Sequence, residues 1–379
     1  MSLAPRLDNI DSRVDKIDKN YIINGGMDYW QRATSGTWSK TGTDGWAGGL
    51  VADRFRSSVS RNGSDLSIAV SQQTDTPSPA FSYSLRVSSG SNVNLGATTA
   101  SIATVYHPIE GVFAKDINTS DTLYLSGWVK TNVAVTDLPL VFRRFNTAGT
   151  GAESSYLTKI STTANTWTRF YKAINLVGQP IHRGTGTAFE IVIGGLSGTG
   201  FTAMTSTTDS WLTGDYWTLP TTTNWAGTSG NWIQVTGLKL SKNPHTDFSL
   251  AGGDQHTEFL LCQRYYEVQH IIGNSYLAIY TTSTGTPFFG MVMPFAVKKR
   301  TPLIGSISIV FENINGNWHW VVPGVTRYSN NNDMSGLSYL VTTDTWLMRQ
   351  NRPAGNAVPT SGYCYTMEAE FNMRADAEL

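Results

Sequence analysis

The chain has 379 residues, 40% hydrophobic and only 15% charged, and its 28 basic and 28 acidic side chains leave a formal net charge of zero. That length accommodates two domains with short appendages, and without a basic excess there is no field to draw in nucleic acid or an anionic membrane surface. Low charge, 36 Gly, 12 Trp and abundant Ser and Thr suit antiparallel sheets with many turns and exclude a disordered chain.

The first element is a polar helix. Leu3, Leu7, Ile10, Val14, Ile17 and Tyr21 step by four, three, four, three and four residues, a coiled-coil seam. With Leu7, Val14 and Tyr21 at position a, Leu3, Ile10 and Ile17 fall at d, Arg6 and Arg13 at g, and Asp11 and Asp18 at e. Ile at d disfavours two strands, so the spacing predicts a parallel homotrimer. The other reading of the same pattern is a single amphipathic helix lying on the next domain. A helix this short is marginal in water, so the β domains must contribute to any oligomer. No apolar run approaches the ~20 residues of a membrane span, and a polar helix in place of a secretion signal predicts folding in a cytoplasm without membrane insertion.

Next, "NYIINGGMDYWQRA" carries an Asn24-Gly25-Gly26 turn signal followed by an expected aromatic strand with Tyr29 and Trp30. The runs "DLSIAVS", "SYSLRVSS", "TLYLSGWVKT", "LPLVFRRF", "TWTRFYKAI", "AFEIVIGG" and "NWIQVTGLKL" are rich in Val, Ile, Tyr, Trp and Phe, and turn residues bound nearly all of them. They predict a sandwich of jelly-roll size. Pro244 and Gly252-Gly253 mark a linker, after which Asp254 or Thr257 can cap a helix with Phe259, Leu260, Tyr265, Tyr266 and Val268 on one broad face. Strand signals then return, ending in a run where Tyr363, Tyr365, Met367, Ala369, Phe371 and Met373 alternate with polar residues and Cys364. The expected fold is all-β: a coiled-coil helix over 1–20, a jelly-roll sandwich over 21–248, a linker helix over 249–272 and a second β-sandwich over 273–379.

Few residues suggest reaction chemistry. The six His are scattered, and no H-E-x-x-H, C-x-x-C or EF-hand loop occurs. His319 in "NWHWVV" and Asp333 in "SNNNDMSG" are better read as surface and hairpin-tip residues. Neither "GLSGTG" nor "GTGTAF" meets its motif, so no nucleophile or cofactor is expected. Glu368 and Glu370 share a strand face, about 7 Å apart, but a solvated face explains them more simply than a hydrolytic pair. Cys262 and Cys364 are too few for a disulfide framework. The expectation is no catalytic residue, no metal and no cofactor.

Aromatics remain. "DSWLTGDYWTLPTTTNWAGTSGNW" sets Trp211, Tyr216, Trp217 and Trp225 among Gly, Thr and Asp, too irregularly for one strand. Aromatic faces suit the C–H face of a sugar, and nearby Asp or Asn can hold hydroxyls. These four are the candidate glycan-binding residues. The competing reading is that they anchor a loop to the sandwich.

Through "NYIINGGMDYWQR", "YLSGWVKT", "TWTRFYKAI", "VTGLKLSKNPHTDF", "FLLCQRYYE" and the terminal "ADAEL", in that order, the chain resembles bacteriophage fibre and virion-decorating proteins over most of residues 21 to 270 and the extreme C-terminus. The resemblance implies a carbohydrate-binding-module-like jelly roll and a second β domain in a trimeric virion appendage. Its N-terminal helix would lie on the three-fold axis and face another virion protein. The expected function is a structural virion protein that binds bacterial surface polysaccharide as a homotrimer. A tail-spike depolymerase, expected to show the repeats of a β-helix, and the carbohydrate-binding module of a secreted glycosidase are the alternatives.

Overall fold

The computed structural model describes residues 19–61, 65–90, 102–194, 208–219, 223–244, 247–271, 275–281, 287–300, 308–322, 325–330, 337–341, 345–351 and 365–377, with backbone alone for 61, 102, 269–294 and 308–374. The chain divides into two compact units between Cys262 and Gln263.

The first unit is a sandwich of two antiparallel sheets. One has six strands in the order β1 (Ser35–Lys40), β4 (Leu66–Gln73), β5 (Ser84–Ser89), β13 (Trp232–Ser241), β7 (Thr122–Thr131) and β10 (Thr168–Asn175). The other has seven: β12 (Ser210–Thr213), β9 (Ala152–Thr162), β8 (Val135–Phe145), β11 (Thr187–Ile193), β6 (Ile102–Glu110), β3 (Arg56–Arg61) and β2 (Gly45–Leu50). The chain crosses from one sheet to the other at most connections, as a jelly roll does. Val70, Val87, Leu125, Val129 and Val235 from the first sheet meet Val59, Val105, Leu140, Phe142 and Ile191 from the second in one core. Strand β7 shows how the pattern builds it: Leu123, Leu125 and Val129 turn inward while Tyr124 and Lys130 stay partly exposed. Strand β11 lacks such an alternation of exposure, since both its faces are covered and all of its residues, Glu190 included, are buried.

The segment after residue 19 belongs to this sandwich. The Tyr21 N–H donates to Leu240 O at 2.8 Å and its hydroxyl to Asp116 at 2.5 Å, and the residue is 1% exposed. Tyr21 therefore lies in a core and cannot extend a coiled-coil seam. Burial first, then the Asp116 contact, pushes its phenol up. The other seam positions, Leu3, Leu7, Ile10, Val14 and Ile17, lie outside the described residues. Asn24 takes φ +60°, as its turn signal predicts, and its side chain donates to Tyr29 O and Asp53 O at 2.9 Å. Gly25 is required, because a Cβ there would sit 2.1 Å from Leu238 O. Beside it β13 bulges between Thr236 and Lys239, where Gly237 has φ +62°. The expected aromatic strand is irregular chain instead, with Trp30 Nε1 donating to Met27 O at 2.5 Å.

Helix α1 (Gln255–Gln263) closes the first unit. Asp254 caps it, accepting from the Thr257 N–H at 2.9 Å. Glu258 accepts from the backbone N–H of Asn24 at 2.5 Å and of Gly252 at 2.7 Å, tying the helix to the N-terminal turn. The helix is shorter than its apolar pattern predicts. Tyr266 and Val268 lie in strand β14 (Tyr266–Ile271), because β21 (Tyr365–Asp376) offers it a ladder from Asp376 to Phe371.

In the second unit the described strands form one antiparallel sheet. Its order is β18 (Val325–Asn330), β17 (Ser308–Val322), β21, β15 (Ser275–Thr281), β16 (Pro287–Pro294), β20 (Thr345–Asn351) and β19 (Leu337–Val341), with β14 also on β21. A single sheet is thus described where a second sandwich was expected. The alternating C-terminal run is its interior strand, and the side chains of Glu368 and Glu370 lie outside the described set. Lys299, fully buried, pairs with Glu267 and donates to Gln263 O at 2.5 Å.

Candidate functional site

Cross-strand partners share a sheet face, and the register of the seven-stranded sheet sets out its outer face in rows. Arg56 is opposite Tyr106, Tyr106 opposite Val192, Val192 opposite Val141 and Val141 opposite Leu157. The next row runs Pro108, Glu190, Arg143, Ser155. Toward the other edge, Ser58 faces Gly48, and Trp46 faces Ser60.

A loop after β12 folds back over the middle of this face. Its Leu219 completes a small cluster with Val141, Leu157 and Val192, and Tyr216 and Trp217 pack on it partly buried. The loop is pinned at two points. Ser155 Oγ donates to Gly214 O at 2.9 Å and accepts from the Tyr216 N–H at 3.1 Å. Arg143, almost completely buried, pairs with Glu190 and donates through Nε to Asp215 at 3.0 Å. The same guanidinium lies 3.6 Å from the Trp217 ring centroid. Burial pushes the Glu190 carboxyl up, against the pull of Arg143. Since the charges of Glu190 and Asp215 are both directed at Arg143, the cluster serves chiefly to hold the loop and Trp217 in place.

Between the pinned loop and β2 lies an open groove of about 370 Å³, lined by Trp46, Ala47, Gly48, Gly49, Arg56, Ser58, Tyr106 and Trp217. Trp46 is 47% exposed. Its ring centroid is 4.7 Å from that of Trp217 at a 46° tilt, and Tyr106 meets Trp217 edge-on at 5.3 Å. Burial raises the Tyr106 phenol, while Arg56 beside it pulls the other way. On the floor, Ser58 Oγ is buried without a hydrogen-bond partner. Gly48 keeps that floor open, since a Cβ there would come within 2.5 Å of the Ser58 Cβ. Exposed indole, a guanidinium and a free hydroxyl acceptor in a shallow cleft suit a polar ring with apolar faces.

The four aromatics expected from the sequence part company here. Trp217 walls the groove, and Tyr216, beside it on the same loop, packs against the Val141, Leu157, Val192 and Leu219 cluster. Trp211 is on the far edge, packed edge-on to Tyr156 at 5.8 Å, with Nε1 donating to Asn175 O at 2.7 Å. It borders a second hollow whose cation, Arg144, is paired with Glu153 at 2.9 Å. Trp225 is 0% exposed, in the one-turn helix Trp225–Gly227, with Nε1 donating to Gly194 O at 2.9 Å. It is a core anchor and cannot face a sugar. Sequence reasoning missed Trp46, Arg56, Ser58 and Tyr106. The Arg56/Ser58 alternation is visible in "RSSVSR", but nothing local says which face of the sheet is covered by a loop.

Among the described residues no group of three His, Cys, Asp or Glu could hold a metal ion, and no helix is long and apolar enough to cross a membrane.

No family model matches this chain, and no curated protein matches it. Among solved structures, the enzymatically active domain of Bacteriophage CBA120 tailspike protein 4 is 13% identical with a TM-score of 0.31, over 59% of this chain and 21% of that one, so the chain spans about a fifth of that structure's length. A family 11 carbohydrate-binding module from Clostridium thermocellum, in complex with a β-1,3-1,4-mixed-linked tetrasaccharide, is 10% identical with a TM-score of 0.30, over 54% of this chain and 95% of that one. The CBM22-1 xylan-binding domain from Paenibacillus barcinonensis is 10% identical with a TM-score of 0.26, over 54% and 91%. Likenesses this distant carry no argument about what the chain binds, which rests on its own geometry.

Proposed function

We propose that the chain is a non-catalytic glycan-binding protein of a bacteriophage virion appendage, and that the groove between Trp46 and Trp217 is where it holds host-surface polysaccharide. The observation that carries the glycan assignment is the open groove itself: two indoles at its rim, with Arg56, Ser58 and Tyr106 beneath, on the broad face of a sandwich whose loop is braced by buried charge. A shallow cleft of this kind gives a weak single site. The N-terminal heptad supports a parallel homotrimer, and three linked copies raise avidity by roughly 10²–10⁴. The ordered sequence resemblance to fibre and decorating proteins supports the virion setting, with the N-terminal end toward another virion protein.

The test is binding of the full chain to immobilised bacterial surface polysaccharides, with Trp46→Ala and Trp217→Ala as variants. Loss of binding in both, with the thermal transition of the first unit retained, is expected. Binding unchanged in both variants would remove the groove from consideration. Release of reducing ends from a bound polysaccharide, abolished by Glu368→Gln or Glu370→Gln, would overturn the non-catalytic assignment in favour of a depolymerase.

A further inference from the structure

We propose that the groove selects a carboxylate-bearing sugar, with Arg56 as the carboxylate's partner, an inference that rests on the glycan-binding assignment of the same groove. None of the residues lining the groove is acidic. Among the described residues Arg56 has no carboxylate within ion-pair distance and feels Glu190 only through space, whereas Arg143, the other guanidinium on this face, is engaged directly by both Glu190 and Asp215. The two arginines are therefore used differently. One braces the loop, and the other lies half-buried in the cleft, hydrogen-bonded to the Tyr106 side chain and paired with no carboxylate among the described residues.

A guanidinium has five N–H donors in a planar fork that matches a carboxylate. Half-buried and with Glu190 acting on it only through space, the Arg56 guanidinium keeps a desolvation cost that an acidic ligand in direct contact would offset. Ser58 Oγ, buried and unpartnered on the floor, supplies a further polar group for a ring hydroxyl. The indole faces of Trp46 and Trp217 take the apolar face of the ring, as they would for a neutral sugar. Arg56 adds the discrimination. The chain as a whole has zero formal charge, so the preference would be local to this cleft and not a general attraction to polyanions.

The experiment prints purified bacterial surface polysaccharides, neutral and carboxyl-bearing, each acidic sample alongside its carboxyl-reduced neutral counterpart, and probes them with the full chain and with Arg56→Gln and Arg56→Lys. The expected result is binding to carboxyl-bearing members that falls roughly tenfold or more on carboxyl reduction and in Arg56→Gln, with partial recovery in Arg56→Lys. The reduction arm needs no variant, so it decides the carboxylate preference even if Arg56→Gln folds poorly, and Arg56→Lys then tests the partner. Binding to neutral members alone, or binding that survives carboxyl reduction, overturns the acidic-sugar inference and leaves a glycan groove, and carboxyl-dependent binding undiminished in Arg56→Gln overturns Arg56 as the partner. Absence of binding across the whole array overturns the glycan assignment itself.

Discussion

Replacing Trp225 with Ala separates core anchors from binding aromatics within one loop-rich stretch. The indole is wholly buried among both sheets, so its loss should cost about 3–5 kcal/mol in transfer and cavity terms. The Gly194 carbonyl, which now accepts from Nε1 at 2.9 Å, would lose its partner and add about 1 kcal/mol. For a unit of this size each kcal/mol shifts the midpoint by about 2–4 °C, so the first-unit transition should fall by roughly 8–24 °C. Trp225→Phe keeps most of the volume but not the N–H, and should cost about 1–3 kcal/mol. The assay is a thermal melt of the full chain, with the two units' transitions followed separately because a two-unit chain need not unfold in one step, beside glycan binding scaled to folded protein. A midpoint within about 2 °C of the parent, or normal stability with binding lost, would refute the anchor argument.

The Glu258 carboxylate accepts from two backbone N–H groups, Asn24 and Gly252, so Glu258→Ala should cost about 2–4 kcal/mol and loosen the N-terminal turn, read by hydrogen exchange at Asn24. His107 is fully buried; desolvation first, then Arg54 beside it, holds its ring well below the ordinary value. The unfolded chain therefore takes up a proton below about pH 6.5 that the folded chain refuses, so stability should fall as pH drops, by up to about 2 kcal/mol between pH 6.5 and 5. His107→Gln should flatten that part of the pH–stability curve, and an unchanged slope would show the assignment to be wrong. Lys299→Ala would leave the Glu267 carboxylate buried without its cation and should destabilise the second unit by about 3–5 kcal/mol in denaturant melts, more than Lys299→Met, which keeps the packing. Ile10→Asp with Ile17→Asp should splay the N-termini of the trimer, read as a larger hydrodynamic radius by light scattering, with the β signal intact, and a parent protein that is already monomeric would end the coiled-coil expectation.

The periodicity of the chain was enough for the all-β class and for seven of the sandwich strands, because β4, β5, β7, β8, β10, β11 and β13 each carry their own apolar pattern and turn boundaries. Strands such as β3, "RSSVSR", and β9, "AESSYLTKIST", were not legible, since Ser and Thr become strand residues here only through the neighbours they pair with. The same limit explains Tyr21 and Tyr266. Each fits a helical spacing, yet tertiary partners, Leu240 and Asp116 for one and the β21 ladder for the other, draw them into a sandwich and a sheet. For the site, composition could point to a stretch of aromatics but could not sort Trp217 from Trp225. Sequence records that both are Trp in a Gly- and Thr-rich segment. Whether an indole lines a cleft or fills a core depends on which way the chain folds back across the sheet, and on residues as distant as Trp46 and Arg143 that only the register of seven strands brings beside it.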